Sequence, residues 1–286
     1  MLELNEKLIR KGKPVGLPYV GSKKKISKKI VEIIKQNFGT DKTVYDVFGG
    51  GGAITAELMI NGIDVVYNDF DSDVVNILES VSKNEESYIK SLIVSRDKFL
   101  QIRGKKCRSS LEEFILLLNS FGNNRRSYIY DKKTADYRFK MAKEIVNKEK
   151  DFEAYKRTET YKSFKNPVRL QQLERLNQVL LLKKHMSGRN VVTKNLDYKC
   201  FSNVKNSVIY LDPPYENTEQ ESYRKTIDYY EFYNWCVYMS KNNIVLLSSY
   251  KVSDTRFKPV YEFETAKSTL QKNNKGSDSE KLWMVK

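Results

Sequence analysis

The chain has 286 residues, 40% hydrophobic and 30% charged, enough to bury a sizeable core in one large domain or two unequal ones. Its 51 Lys and Arg against 36 Asp and Glu leave a net charge of +15, which points to a polyanionic partner. Three scattered cysteines and one histidine argue against a disulfide framework or a metal site, and the lack of a long apolar run or signal-peptide core makes a membrane span unexpected and the cytoplasm the expected location.

Taken in chain order, residues 1–22 are polar and punctuated by glycine. Ser22 is positioned to cap a helix from about Lys23 to Phe38, with Ile26, Ile30, Ile33 and Ile34 on one face. Thr43 to Phe48 reads as a buried strand that breaks into Gly49-Gly50-Gly51-Gly52. Ala53 to Met59 follows as a helix, stopped near Asn61-Gly62. Asp64 to Tyr67 is a second strand, ending in Asn68-Asp69. This order of strand, glycine turn, helix, strand and acid is a βαβ unit.

Residues 80–187 are mostly helical in pattern and rich in charge. Phe121 to Tyr128 interrupts them as a loop or hairpin, and Leu170, Leu173, Leu176 and Leu180 form a core-facing stripe. The only histidine, His185, falls at a predicted helix end. The α/β pattern then resumes. Asn190 to Thr193, Ser207 to Leu211 and Asn243 to Ser249 read as strands, with a helix from about Tyr229 to Ser240 before the last. Val260 to Phe263 and Lys281 to Val285 suggest a closing hairpin around a polar, glycine-containing loop. The expected domains are residues 1–79 with 188–286, and an inserted domain at 80–187.

Two segments carry chemistry. A strand that ends in glycines and feeds a helix lets backbone approach a nucleotide-like ligand, and an acid after the next strand can accept ribose hydroxyls. Asp69 is that acid, and NAD, FAD and S-adenosylmethionine all fit this arrangement. The second segment is Asp212-Pro213-Pro214-Tyr215, directly after an apolar strand. Proline has no N–H to donate, so the sheet must stop there. What remains is a rigid rim with a carboxylate, a backbone carbonyl and an aromatic face. Those groups suit the amine of a flat base: two acceptors for its two N–H bonds and a ring to stack on it.

Together these segments resemble the Dam-like class of DNA adenine methyltransferases. Tyr19-Val20-Gly21-Ser22-Lys23 resembles that family's Trp-Ala-Gly-Gly-Lys element, and Asp46 to Gly52 its acid-Pro-Phe-x-Gly-x-Gly loop. Asn68-Asp69 resembles the ribose acid and Asn195 to Tyr198 an acidic turn. Asp212 to Tyr215 matches the catalytic motif in full. The departures are Tyr at 19, Ser at 22 and Val at 47. The resemblance implies a Rossmann-like S-adenosylmethionine-dependent methyltransferase sheet, an α/β fold, with a mostly helical DNA-recognition insertion. It implies S-adenosylmethionine contacts from Tyr19, Lys23, Asp46, Phe48, Gly50, Gly52, Asp69, Asp197 and Asp212.

The expected reaction is methyl transfer to the exocyclic amine of adenine in double-stranded DNA, with the base flipped out of the duplex. Asp212 and the Pro213 carbonyl would accept the amine hydrogens, Pro214 would stiffen the rim, and Tyr215 would stack on the base. Asn123, Asn124, Arg125 and Arg126 could read base edges or meet phosphate. No metal is required. An RNA or protein methyltransferase would more often carry Asn at 212, and a cytosine amino methyltransferase Ser. A non-catalytic DNA-binding protein of the same fold would not need Asp212 to Tyr215, and an oxidoreductase would leave that motif unexplained.

Overall fold

The computed structural model describes residues 1–149, 153–166, 168–189, 191–216, 227–264 and 279–286. The chain divides into two compact units. The first comprises residues 1–15, 21–75 and 188–286, and the second residues 16–20 and 76–187.

In the first unit, Lys23 to Lys25 make a single 3₁₀ turn before helix α1 (Ser27–Phe38). The expected Ser22 cap does not form: Ser22 makes no capping bond, because the turn carries the chain past it and Ile26 takes the N-cap position. Ile30, Ile33 and Ile34, spaced to share one helical face, are fully buried. Strand β1 (Val44–Asp46), helix α2 (Ala53–Ile60) and strand β2 (Val65–Asn68) form the predicted βαβ unit, with β1 and β2 parallel. Helix α3 (Ser72–Lys83) begins in the first unit and continues in the second.

The second unit holds short helices: α4 (Glu86–Ser91), α5 (Arg96–Arg103), α6 (Ser110–Asn119), α7 (Ala135–Lys148), α8 (Glu159–Lys162) and α9 (Gln171–Met186). Phe99, Ile102, Leu116 and Tyr128 to Tyr130 share a core there. Buried Gln172 stitches it together, donating to Asn119 Oδ1 at 2.6 Å and to the Val94 carbonyl at 2.9 Å. On α9, Leu173 and Leu176 are buried as expected, but Val179 rather than Leu180 continues the stripe. The helix turns by about 100° per residue, which carries position 179 into line with 172 and 176. His185 lies in the last turn of α9.

The first unit then resumes with β3 (Val192–Lys194), β4 (Val208–Leu211), helix α10 (Tyr229–Ser240), β5 (Ile244–Ser249), β6 (Phe257–Glu262) and β7 (Lys281–Val285). Asn190, at the start of the predicted third strand, lies outside the described residues, as does the polar loop 265–278. The seven strands are ordered β3-β2-β1-β4-β5-β7-β6. The first five are parallel, and β7 runs antiparallel to both β5 and β6. Ile209, Leu211, Val245 and Leu247 pack with Phe232, Trp235, Cys236 and Met239 of α10. The alternate residues Val208, Tyr210 and Leu246 are equally buried, so the central strands are covered on both faces. Pro259, which cannot donate to a ladder, sits on edge strand β6 beside a register shift.

The strand order reverses between β1 and β4, which pair Asp46 with Tyr210. In open α/β sheets such a reversal leaves a crevice beyond the carboxyl ends of the strands, where ligands bind. Asp46 ends one of these two strands and Asp212 follows the other.

Candidate active site

The loop after β1 is shaped by its neighbours. The Gly49 amide donates to the Asn68 carbonyl at 2.8 Å. A Cβ on Gly49 would lie 2.2 Å from the Tyr67 ring, so this position accepts only glycine. Gly52 stands at φ 68°, in the left-handed region, and opens α2. Asp46 ties the end of β1 to that helix: its Oδ2 accepts from the Thr55 amide at 3.1 Å and hydroxyl at 2.7 Å. Its Oδ1 is buried with no hydrogen-bond partner among the described residues. Burial pushes the Asp46 carboxyl up to about 7, against the pull of Thr55.

Asp69 closes the loop from the other side. Its Oδ2 accepts from the Gly50 amide at 2.8 Å and its Oδ1 from the Asp71 amide at 2.8 Å. Burial raises its carboxyl to about 6, opposed by those two amides. Asn68 links three segments: its Nδ2 donates to the carbonyls of Val47 at 2.9 Å and Leu196 at 3.0 Å, and its Oδ1 accepts from the Leu196 amide at 2.9 Å. Asp197, one residue on, caps a 3₁₀ turn by accepting from the Lys199 amide at 3.1 Å. Phe48 packs edge-on to Phe232, with ring centroids 5.8 Å apart.

The carboxyl end of β4 carries a denser cluster. Lys23 turns inward: its Nζ is 2.8 Å from Asp212 Oδ1 and 3.5 Å from Glu280 Oε1, and it also meets the Tyr215 hydroxyl. Tyr215 Oη donates to Glu280 Oε2 at 2.9 Å, and Ser248 Oγ donates to Glu280 Oε1 at 2.7 Å. The Tyr215 ring stands edge-on to Tyr250 at 4.7 Å. Burial raises the Asp212 carboxyl to about 7; Lys23 works against that rise, while Glu280 and Asp69 add to it. Burial disfavours the Lys23 ammonium, yet Asp212 and Glu280 outweigh it and hold its pKa above the ordinary value. Burial and the two carboxylates keep the Tyr215 hydroxyl protonated well beyond its usual range.

Lys23, Asp212 and Tyr215, far apart in sequence, are therefore in direct contact. Gly50 and Asp69 are joined, and Asp46, Asp69 and Asp212 are close enough to perturb one another electrostatically. Tyr19 and Asn123 to Arg126 belong to the second unit. In that unit Ser120 and Tyr128 pair as an antiparallel bridge, so the predicted loop is a hairpin-like turn. Asn124 Oδ1 accepts from the amides of Arg126 and Ser127 at 2.8 and 3.0 Å and shapes its tip. Arg125 Nη1 lies 3.4 Å from buried Glu113, and Arg126 is exposed.

A glycine-bracketed strand end and an Asp-Pro-Pro-Tyr rim at one sheet reversal agree with the comparison to known families. The model for D12 class N6 adenine-specific DNA methyltransferases matches residues 19–272. The chain belongs to this family. The methyltransferase is accordingly an adenine-specific DNA-modifying enzyme, which removes the cytosine, oxidoreductase and non-catalytic readings. No curated protein matches it in sequence. A solved Haemophilus influenzae structure, described as a candidate methylase, is similar at 10% identity and a TM-score of 0.33, over 91% of this chain and 88% of that one. Among the described residues no helix of the methyltransferase is long and apolar enough to cross a membrane.

Sequence reasoning missed Glu280 and Ser248 in this cluster, and Asn68 as a link between segments. Glu280 lies at the edge of a polar stretch of low apparent information, and nothing in its neighbours announces a buried acid. Ser248 is hidden in an apolar strand. Asn68 stands beside Asp69, and its two-sided amide was the available signal.

Proposed function

We propose that the methyltransferase moves a methyl group from S-adenosylmethionine to the exocyclic amine of adenine in duplex DNA, with Asp212 to Tyr215 as the reacting rim. The observation that carries this reading is the Asp212 carboxylate at the end of β4, steadied by Lys23 at 2.8 Å and followed by two prolines and an aromatic ring.

The loop residues fit the methyl donor. Asp46 Oδ1 is a buried acceptor with no donor of its own among the described residues, and it suits an ammonium or hydroxyl group. Asp69 uses one lone pair of each oxygen on a backbone amide and retains others for a ribose diol. Gly50 and Gly52 allow close backbone approach, while Phe48 and Asp197 supply an apolar wall and a further acceptor. Lys23 completes the set in this unit. When bound, S-adenosylmethionine supplies an electrophilic methyl group on a sulfonium.

The amine of adenine is a weak nucleophile because its lone pair is delocalised into the ring. Asp212 and the Pro213 carbonyl accept its two N–H bonds and favour a pyramidal nitrogen whose lone pair is available. As positive charge grows on that nitrogen, the fixed carboxylate stabilises it. Pro214 limits the rim's freedom, and Tyr215 receives the flipped base on its face, offsetting roughly 1–3 kcal/mol of lost stacking. The second unit serves as the target-recognition domain, with the Asn123 to Arg126 turn facing DNA.

The test is transfer of a labelled methyl group to duplex DNA, followed by nucleoside analysis. Asp212→Ala is expected to lower turnover by about 10²–10³-fold with donor binding retained. Wild-type turnover in that variant would refute the role of the carboxylate.

A further inference from the structure

We infer that Glu280 is a positioning residue for methyl transfer: it anchors Tyr215 by its hydroxyl and divides the Lys23 ammonium with Asp212, leaving Asp212 able to engage the substrate amine. The inference rests on the reading of Asp212 and Tyr215 given above. It adds a residue that lies outside the Asp-Pro-Pro-Tyr rim and outside the glycine loop.

The geometry is specific. Only 3% of the Glu280 side chain is exposed, and it is met by three donors. Tyr215 donates to both of its oxygens, at 3.1 and 2.9 Å, and Ser248 to Oε1 at 2.7 Å. The third donor is Lys23, at 3.5 Å, whose shorter contact is with Asp212 at 2.8 Å. A buried carboxylate is costly unless charge and hydrogen bonds compensate it. A second acid beside a lysine already paired is thus a poor way to stabilise a fold.

Its value lies in the reaction. With one cation against two carboxylates, the cluster carries a net negative charge where the attacking nitrogen becomes positive. A lysine committed to Asp212 alone would cancel the charge that the amine needs. Glu280 draws on the same ammonium and limits that cancellation. Through the Tyr215 hydroxyl it also sets the angle of the ring that receives the base. A misplacement of about 1 Å in such a support can cost 10²-fold in rate.

The charged and titratable groups that face Asp212 are Lys23 from the turn before α1, Glu280 before β7, Asp46 at the end of β1, Asp69 after β2, and Tyr210 and Tyr215 along β4 and its rim. Glu280 raises the Asp212 carboxyl and Lys23 lowers it. Glu280→Gln keeps the shape and an acceptor for Tyr215 but removes the charge. The acid limb of kcat against pH should therefore move to lower pH, with plateau kcat reduced and the KM values for donor and DNA little changed. Ser248→Ala acts in the opposite sense. It takes one donor from Glu280, which then competes harder for Lys23, so the acid limb should move to higher pH.

Both profiles are measured beside wild type and Asp212→Asn, with folding checked by circular dichroism. Should Glu280→Gln fail to fold, Ser248→Ala carries the test. An acid limb that stays at the wild-type position in the folded variants overturns the role of Glu280 while Asp212→Asn still reports on the rim. Full wild-type turnover in Asp212→Asn overturns the rim assignment, and that of Glu280 with it.

Discussion

Asp69 Oδ2 accepts the amide hydrogen of Gly50 at 2.8 Å, so the acid after β2 fastens the glycine loop after β1. The same carboxylate accepts from Asp71 and turns the chain toward α3. Asp69 thus has two duties, organising the loop and, on the proposed reading, holding a ribose.

These duties can be separated. Asp69→Asn keeps one acceptor oxygen, while Asp69→Ala removes both loop bonds. The alanine variant should bind S-adenosylmethionine more weakly by about 1.5–3 kcal/mol, roughly 10- to 100-fold in Kd. The asparagine variant should fall between it and wild type. Titration calorimetry of the three proteins checks the order, and equal affinities would remove Asp69 from the donor site.

Tyr215→Phe should cost more than a pure stacking role implies. The ring survives, but the Glu280 carboxylate loses a donor at 2.9 Å and is left partly unsatisfied. A loss of about 1–3 kcal/mol in transition-state stabilisation is expected, read as a fall in kcat/KM for methyl transfer. Tyr215→Ala should lose more, because the stacking face disappears as well. An unimpaired phenylalanine variant would show that the hydroxyl contact has no part in turnover.

Activity and stability should run in opposite directions with pH. Asp212 is raised to about 7, Asp46 to about 7 and Asp69 to about 6, chiefly by burial, against an ordinary carboxylate near ~4. A raised carboxyl favours the folded state while protonated. Its contribution is complete below the unfolded value and is lost as pH rises through the folded one. Turnover needs ionised Asp212, so kcat should climb through pH of about 7 over the same window in which these groups cease to stabilise the fold. Paired kcat and Tm profiles between pH 5 and 9 (roughly two units either side of that value) test this. A kcat that stays flat down to pH 5 would contradict it.

DNA affinity should fall linearly in log–log form with salt, as phosphate contacts release counterions, at a slope of about −0.9 per phosphate. Arg126 is exposed at the turn between Ser120 and Tyr128 and is expected to meet phosphate. Arg126→Ala should weaken binding to all sequences alike and reduce the slope by about one contact. Arg125, near buried Glu113 and with its amide on Ser120 Oγ at 2.9 Å, should act instead through the shape of the turn. Fluorescence anisotropy across a salt series distinguishes the two.

The centre of the parallel sheet was legible in the sequence because β1, β2 and β4 are apolar runs that give way to glycines, to Asp69 and to Asp212-Pro213-Pro214. The βαβ unit and the rim at Asp212 follow from that punctuation. Lys23 was legible only through its place in a motif; composition alone makes a lysine run a solvated face. Its inward turn arises because Asp212 and Glu280 offer it two carboxylates at the end of the sheet. Glu280 was not legible at all. It is enclosed by Tyr215, Ser248 and Lys23, which are far from it in sequence, and a single acid beside a polar segment carries no periodic signature. The Ser22 cap failed for a related reason: local propensity named a plausible N-terminus, but the 3₁₀ turn that delivers Lys23 to the site moved the helix start to Ser27.

Strand β7 lies between β5 and β6, although it follows both in the chain. Edge strand β6 takes its ladder bonds from β7, so it has no place in the sheet until residues 281–285 have been made. During synthesis β5 must wait with an open edge while the intervening residues emerge. An uncovered strand edge is a template for pairing with other chains. The vulnerable interval for aggregation should therefore last until β7 has been made, and substitutions that disrupt β7 should harm solubility far more than its five residues suggest.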